Sequence, residues 1–329
     1  MEADKPIRRF GATTSAMDVL VDQDLSEKVF IITGANAGIG FETARSLALA
    51  GAHVILACRN SVSADQAKEE IIKEKSDAKV TILICDLSSL TSVRHFVHDF
   101  LELKIALHGL ILNAGVCGVP FELSPDGFEL TFQVNHLSQF YMLYLLQNKL
   151  IESAPSRVVI VSSESHRRVG PYFGFQLLTP DHITAGYLSP KTLNDYWWIP
   201  AYNMSKLCNV LTAFYANSQL QDRGVSVHSL HPGSMVMTQL PKYSLFMKLA
   251  FGLLKPFTKT MSQAAATSVY CATAPELENC GGAYFRDCWF CEPNPLVYNP
   301  KLQSKLWLLS EKLIEQSIGS DWKEPKAAG

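Results

Sequence analysis

The sequence predicts a single α/β domain built on a doubly wound, mostly parallel β-sheet. Short apolar segments alternate along the chain with longer segments of helical periodicity, the order that builds a parallel sheet covered by helices on both faces. A glycine-rich turn joins the first apolar segment to the first helical one. The chain has 329 residues, 47% of them hydrophobic, which is enough for one large core.

Six strands are predicted because six apolar segments are short and apolar on both faces, as buried parallel strands are. A predicted helix follows the first strand, with Gly51 as its C-cap. The next helix is predicted to begin with a capping box over Ser63-Ala64-Asp65-Gln66. We expect an N-terminal extension over residues 1–26, the domain over 27–320 and a C-terminal tail over 321–329. The predicted strands are residues 29–33, 53–57, 79–84, 109–112, 157–161 and 225–230.

The glycine-rich turn reads Thr33-Gly34-Ala35-Asn36-Ala37-Gly38-Ile39-Gly40. A strand, a glycine-rich turn and a helix N-terminus together offer free backbone N–H groups and a positive dipole end to a pyrophosphate. Its three glycines suit a tight turn, a close approach to phosphate and close packing of helix on strand. The alternative is a glycine-rich connection that binds no ligand. The predicted phosphate-binding residues are Gly34, Asn36, Ala37, Gly38, Ile39 and Gly40.

Tyr202 and Lys206 lie four residues apart in a segment that reads as helix, so both side chains are predicted to share one face. A lysine cation about 4 Å from a phenol contributes roughly 4 kcal/mol at an effective dielectric of about 20. That energy corresponds to roughly 3 pKa units. The spacing therefore predicts a tyrosine whose pKa is lowered toward neutrality, although such pairs are also common on surface helices.

These two motifs resemble the short-chain dehydrogenase/reductase family, a Rossmann-type fold, and further pieces of the family pattern follow in the expected order. Segments such as residues 57–60, 132–137 and 205–209 are similar to its retinol dehydrogenase-like branch. The further pieces are Asn113-Ala114-Gly115 after the fourth strand, Asn135, Ser163 after the fifth strand, and Pro232-Gly233 after the sixth.

The resemblance implies hydride transfer between a nicotinamide and a carbonyl or alcohol. Asn135, Ser163, Tyr202 and Lys206 would be catalytic, with Tyr202 donating a proton and Ser163 hydrogen-bonding the same substrate oxygen. Lys206 would also hold the nicotinamide ribose, and Asn135 would anchor a water. The other implied cofactor contacts are Asp86 and Leu87 at the adenine, and Asn113, Ala114, Gly115, Pro232 and Gly233.

Cofactor preference is predicted from Cys58 and Arg59 at the end of the second strand. An acidic residue there would bind the ribose 2′-hydroxyl, whereas arginine presents a charged fork suited to a 2′-phosphate. NADP(H) is therefore predicted to be preferred over NAD(H). The alternative is a solvated Arg59 with no ligand.

Two apolar segments suggest a lipophilic substrate. Residues 168–200 are rich in aromatics and prolines, which suits the wall of a pocket for a steroid, a retinoid or another hydrophobic carbonyl compound. A structural loop is the alternative. Residues 245–254 are too short to span a bilayer. They are predicted to cover the pocket or to touch a membrane surface.

Composition argues against several other functions. The balance of 29 basic and 31 acidic residues leaves no excess for binding nucleic acid. Cys288 and Cys291 have C-x-x-C spacing, but no second pair completes a metal site, so packed thiols are predicted and no metal is expected. No signal peptide opens the chain. We therefore expect a cytoplasmic, non-secreted protein, with nucleus or mitochondrion added by resemblance, and leave a homodimer and peripheral membrane contact open.

A second function also follows from the resemblance. One member of the branch is associated with growth control and cell death, roles carried largely by WW modules that bind proline-rich ligands. Those modules are absent from this sequence. The alternative to an enzyme is therefore a regulatory scaffold that binds cofactor with little turnover.

Overall fold

One eight-stranded sheet forms the centre of the molecule in the computed structural model, which describes residues 8–169, 179–233 and 259–326. Its strands are β1 (Val29–Thr33), β2 (His53–Cys58), β3 (Val80–Ile84), β4 (Gly109–Leu112), β5 (Ser156–Val161), β6 (Val225–His231), β7 (Ala283–Arg286) and β8 (Trp289–Phe290). They lie in the order β3-β2-β1-β4-β5-β6-β7-β8. All neighbours from β1 to β7 are parallel, and β8 runs antiparallel to β7. The predicted doubly wound fold is confirmed.

Helices cover both faces of this sheet. Within the described residues they are α1 (Ala16–Val19), α2 (Gly38–Leu49), α3 (Ser61–Glu74), α4 (Leu90–Glu102), α5 (Leu130–Phe132), α6 (Ser138–Glu152), α7 (Ala185–Leu188), α8 (Trp198–Leu220), α9 (Met261–Thr273) and α10 (Pro300–Ile318). A π-helical turn, Gln133–Leu137, joins α5 to α6 without a break. A 3₁₀ turn, Glu164–Arg167, follows β5.

Alternate strand residues supply two separate cores, because successive side chains of a strand point to opposite faces. Ile31 and Ile55 belong to the core that includes side chains of α4, α6, α8 and α10. Ile32 and Leu56 belong to the other, with side chains of α1, α2, α3 and α9. All four are fully buried, as expected for strands covered on both sides.

The six predicted strands are confirmed to within one residue at each end. The predicted capping box at the start of α3 is wrong. The helix begins at Ser61, and the Asn60 side-chain oxygen accepts a hydrogen bond of 2.9 Å from the backbone N–H of Ser63. Asparagine is a strong N-cap residue, so Asn60 caps the helix in place of the predicted Ser63. Gly51 directly follows the C-cap residue Ala50 of α2.

Both ends of the described chain contribute buried side chains to the domain. Ala16 and Val19 of α1 lie in the second core. Trp322, from the predicted tail, is only 2% exposed, and its ring lies 4.6 Å from that of Tyr144. The described parts of 1–26 and 321–329 are therefore packed against the domain.

No helix in the described part of the chain is long and apolar enough to cross a membrane. The predicted cover over residues 245–254 and most of the aromatic segment around residues 171–173 lie outside the described residues.

Candidate active site

The turn after β1 leaves the N-terminus of α2 open. Gly34 has φ +66°, and a Cβ there would lie 3.1 Å from Ala114 Cβ, so the turn packs closely on the end of β4. A Cβ on Gly40 would overlap the Gly34 carbonyl oxygen. Gly38 has φ +58° and nothing within 4 Å of its Cβ position. No side chain caps this helix at Ala37. The first-turn N–H groups are therefore suited to an anion such as a pyrophosphate.

Hydrogen bonds fix the end of β4 against the end of β1. The Asn113 side-chain amide donates to the Thr33 carbonyl at 2.9 Å. The Thr33 hydroxyl accepts from the backbone N–H groups of Asn113 and Ala114 at 2.9 and 3.0 Å. It also lies 3.1 Å from Gln139 Oε1. Polar side chains thus hold the carboxyl edge of the sheet where a ligand of this fold binds.

Arg59 and Asp86 stand at the ends of the next two strands. Arg59 is exposed, and its guanidinium makes no hydrogen bond or ion pair with any residue that the structure describes. Asp86 is held in place, because its carboxylate accepts from the backbone N–H and the hydroxyl of Ser88 at 2.9 and 2.8 Å. The Leu87 side chain lies in the core, so little of it is available to a ligand.

Lys206 and Asn135 meet beneath Gly115. A Cβ on Gly115 would lie 3.2 Å from both Lys206 Nζ and Asn135 Oδ1. Lys206 is buried, donates to the Val161 carbonyl at 3.1 Å, and lies 5.7 Å from the ring centre of Tyr202. Tyr202 and Lys206 therefore share one face of α8, as their spacing predicts, and Lys206 lies at the end of β5.

Asn135 lies in the π-helical turn, a feature often found at functional sites. Its side-chain oxygen accepts from the Val116 N–H at 2.7 Å. Its amide donates to the Val116 carbonyl at 2.9 Å and to the Ser205 hydroxyl at 3.0 Å. Asn135 thus connects the loop after β4 to α8. These contacts use both the oxygen and the nitrogen of its side-chain amide.

Ser163 follows β5 and begins the 3₁₀ turn. Its hydroxyl accepts from the Ser165 N–H at 3.2 Å and interacts with the Tyr202 phenol. The neighbouring Asn203 donates from its side chain to the Arg168 carbonyl at 3.0 Å. The structure therefore brings Ser163 and Tyr202 together, although the sequence separates them by an insert.

The predicted lowering of the Tyr202 pKa is wrong. Burial raises the pKa of the phenol above its ordinary range, the nearby Cys117 thiol adds to this, and the hydrogen bond to Ser163 opposes it. Burial also lowers the pKa of Lys206 to about 8. Removal from water disfavours both charged forms, which outweighs the attraction on which the sequence argument relied.

Sequence reasoning missed several residues at the mouth of the site. The half-buried Cys117 lies close enough to Lys206 and Tyr202 to influence both electrostatically. Val119 and Phe121 were also missed: they contact Tyr196 of the aromatic segment 168–200, which donates to the Val119 carbonyl at 2.8 Å and whose ring lies 5.4 Å from that of Phe121. The signal for Cys117, Val119 and Phe121 was their proximity in sequence to Gly115.

Gly233, which follows β6, is the last residue of the described range 179–233. It has φ +113°, and a Cβ there would lie 2.8 Å from Lys259 Cε. Lys259 in turn forms an ion pair with Asp287. Glycine is needed at this position for both its backbone conformation and the lysine that lies over it. Residues 234–258, which follow Gly233, lie outside the described residues.

The cysteines of the C-x-x-C segment have separate environments. Cys288 is buried, and its N–H donates to the Thr267 hydroxyl at 3.2 Å. Cys291 accepts from the Arg167 guanidinium at 3.1 Å. All eight cysteines are free, and the described residues contain no group of three or more side chains that could hold a metal.

The chain resembles known proteins in sequence and in fold. The family model for short chain dehydrogenase matches residues 28–174. WW domain-containing oxidoreductase of Danio rerio is 48% identical over 94% of this chain and 74% of the relative, and human retinol dehydrogenase 12 is 39% identical over 88% and 87%.

Solved structures agree with these sequence relatives. An uncharacterized protein from Mycobacterium paratuberculosis has a TM-score of 0.66 and 25% identity, covering 89% of this chain and 96% of its own. An NADPH-bound short chain oxidoreductase from Pseudomonas aeruginosa shares the fold, with a TM-score of 0.59 at 18% identity over 80% and 95%. On the strength of the sequence relatives, the chain belongs to the short-chain dehydrogenase/reductase family of oxidoreductases, whose fold binds a nicotinamide cofactor.

Proposed function

We propose that this protein is an NADP(H)-dependent oxidoreductase that interconverts a carbonyl and an alcohol on a lipophilic, steroid- or retinoid-like substrate. The observation that carries the proposal is the meeting of Ser163, Tyr202 and Lys206 at the carboxyl edge of the sheet. These three residues and the open N-terminus of α2 lie along the same carboxyl edge of the sheet. Bound cofactor supplies or accepts a hydride, and the protein supplies placement and charge.

The cofactor would lie along the strand ends. The N–H groups around Gly38 would hold the pyrophosphate, and Asp86 would face the adenine. Lys206 would hold the nicotinamide ribose, with Gly233 beside the ring. The preference for NADP(H) rests on Arg59, because an exposed guanidinium with no partner in the described residues is free to pair with a 2′-phosphate.

The state of Tyr202 favours the reductive direction. A phenol whose pKa is raised by burial keeps its proton at neutral pH. Tyr202 can therefore donate that proton to the substrate oxygen as negative charge develops there, while the Ser163 hydroxyl hydrogen-bonds the same oxygen. The nearby Lys206, when charged, stabilises the anionic form that Tyr202 leaves behind.

The lipophilic substrate is supported by the aromatic residues at the N-terminal end of α8. Trp197 and Trp198 are 60% and 41% exposed, one turn of helix before Tyr202. Trp198 also lies against the loop after β4, 4.0 Å from the Cβ position of Gly118. Exposed aromatic groups beside a site are typical of surfaces that bind apolar ligands. The name of the relative retinol dehydrogenase 12 agrees with this substrate class.

Replacing Tyr202 by Phe tests the proposal. The purified protein is given NADPH and a panel of lipophilic aldehydes and ketones, and NADPH consumption is followed by absorbance. We expect turnover to fall at least ~10²-fold, the usual contribution of general acid catalysis. NADPH binding, measured by fluorescence, should hardly change.

Tyr144→Phe is the matched control, since that ring stacks on Trp322 and takes no part in the proposed chemistry. Near-normal turnover in Tyr202→Phe would remove the assigned mechanism. Tight NADPH binding by the wild-type protein without turnover of any carbonyl would favour the regulatory scaffold instead. A cytoplasmic location, homodimer formation and peripheral membrane contact stand as proposals beside this one.

A further inference from the structure

His166 lies fully buried in the 3₁₀ turn that follows Ser163. Its Nδ1 is 2.7 Å from the carbonyl oxygen of Ser163. Its Nε2 is 3.1 Å from the backbone nitrogen of Asn294, which lies 128 residues further along the chain. One imidazole ring thus connects the predicted catalytic serine to the segment that follows β8.

The two partners determine the protonation state of this ring. A carbonyl oxygen only accepts hydrogen bonds, so Nδ1 must carry a proton and donate to Ser163. A backbone N–H only donates, so Nε2 must offer a lone pair to Asn294. Only the neutral tautomer with its proton on Nδ1 satisfies both contacts.

Neighbouring contacts reinforce the same connection. The Arg167 guanidinium donates to Cys291 Sγ at 3.1 Å and to the carbonyl oxygen of Glu292. The ring of His166 lies 4.7 Å from that of Tyr284 on β7. On the opposite side, Asn203 of α8 holds the Arg168 carbonyl at 3.0 Å. The turn is therefore held between the helix that carries Tyr202 and the chain that leaves β8.

We infer that His166 is a positioning residue, which fixes the backbone of Ser163 so that its hydroxyl stays directed at the Tyr202 phenol. The inference rests on the proposed function for its kinetic consequence. A side chain as short as serine moves with its backbone, and a misplacement of about 1 Å in a reacting group costs on the order of 10²-fold in rate. His166 touches neither substrate nor cofactor in this arrangement and acts through Ser163.

Three variants separate the two contacts of the ring. His166→Asn places an amide near the position of Nδ1 and can still donate to the Ser163 carbonyl, but it is too short to reach Asn294. His166→Gln reaches toward Asn294. His166→Phe keeps a ring against Tyr284 and removes both hydrogen bonds. His98→Asn is the matched control, because that histidine is partly exposed and, among the residues that the structure describes, pairs with Asp99 alone.

We expect His166→Phe to lower kcat about 10-fold or more, with the NADPH dissociation constant changed by less than about 2-fold. His166→Asn should recover part of that loss, because the hydrogen bond to Ser163 returns. A purely structural role predicts the opposite pattern, in which the melting temperature falls while kcat stays near wild type. That pattern, or equal kcat losses in Asn and Phe, would overturn the inference.

A measurement independent of turnover keeps this test separate from that of the proposed function. Nitrogen-15 NMR of labelled histidine in the wild-type protein reports which ring nitrogen carries the proton, with His166→Asn identifying the signal. The Nδ1–H tautomer supports the link between Ser163 and Asn294, and the Nε2–H tautomer overturns it. Absence of turnover in the wild type would count against the proposed function alone.

Discussion

The proposed preference for NADP(H) depends on one exposed side chain, that of Arg59. If it pairs with a 2′-phosphate, Arg59→Ala should weaken NADPH binding by roughly 1.5–3 kcal/mol, the usual strength of a hydrogen bond to a charged group. NADH, which lacks the phosphate, should bind almost as before. Fluorescence titration of the two cofactors against wild type and variant measures the difference.

Arg223→Ala provides the control for Arg59. Arg223 is also exposed but lies in the turn before β6, at the amino edge of the sheet, away from the carboxyl ends of the strands. Its removal should leave both cofactors unaffected. Equal weakening of NADPH and NADH by Arg59→Ala would mean that Arg59 supports the turn and does not bind phosphate.

At this scale the sequence predicted which residues meet but not their protonation. Helical spacing places Tyr202 and Lys206 on one face, and strand ends place Ser163 beside them, both of which follow from local geometry. Their pKa values depend instead on how completely the surrounding chain excludes water. The partners of His166 could not be predicted either, because Asn294 is far from it in sequence and is brought to it only by the assembled sheet.

At the scale of secondary-structure elements, the closest packing at the site is that of α2 on the glycine-rich turn. A methyl group on Gly40 would overlap the Gly34 carbonyl and the Asn113 amide. We expect Gly40→Ala to destabilise the protein by about 1–3 kcal/mol through overpacking and to weaken NADPH binding as the turn is displaced. Urea unfolding and fluorescence titration measure the two effects.

Gly186→Ala is the comparison for Gly40, because a Cβ there, in helix α7, meets nothing within 4 Å. Its unfolding free energy should stay within about 0.5 kcal/mol of wild type, as for substitutions free of packing conflict. Indistinguishable unfolding curves for the two variants would show that α2 does not pack on the turn as described.

The segment after α10 contributes a second element-scale contact. Trp322 is buried against α6, with Tyr141 donating to its carbonyl and Tyr144 stacked on its ring. Trp322→Ala should cost about 3–5 kcal/mol in unfolding free energy, as for other buried tryptophans. Trp197→Ala, at a residue 60% exposed, should cost far less in the same urea titration. A small effect at Trp322 would mean that the segment lies free of the domain.

Elements were predictable where a strong period of apolar residues marks them. Strands β1 to β6 have four to seven residues and are rich in apolar side chains, which alternate with serine and histidine in β6, and all six followed from the sequence. Strand β7 has four residues and β8 only two, ending in exposed positions, so neither carries enough pattern to be recognised. They form because β6 presents an edge to which β7 can add.

For the molecule as a whole, four buried histidines predict loss of stability in acid. Burial lowers the pKa of His136 and His228 to about 3, and that of His166 and His231 to about 4, from an ordinary value of 6.5. Between those values the unfolded chain binds more protons than the folded one. Stability is therefore complete above about pH 6.5 and falls as the pH drops toward 4, by about 1.4 kcal/mol per pH unit for each histidine.

Urea unfolding at a series of pH values from about 7.5 to about 4.5 measures this slope. His228→Leu isolates one contribution, because neither ring nitrogen of His228 has a hydrogen-bond partner in the described residues. The variant should unfold at a similar urea concentration at neutral pH. In acid its free energy of unfolding should fall less steeply than that of the wild type, and the difference in slope should equal the contribution of one histidine. An identical slope in both proteins would show that His228 does not titrate on unfolding.

The link between His166 and Asn294 also has a consequence for the order in which the chain is made. The ribosome releases the turn that carries Ser163 long before the amide that fixes it, and other ties, from His136 to Ser310 and from Tyr141 to Trp322, span 174 and 181 residues. A nascent chain can already form the first five strands and their glycine-rich turn. The predicted catalytic serine gains this tie only when Asn294 has emerged, so a chain cut short before residue 294 would contain the glycine-rich turn and lack the amide that holds the turn after Ser163.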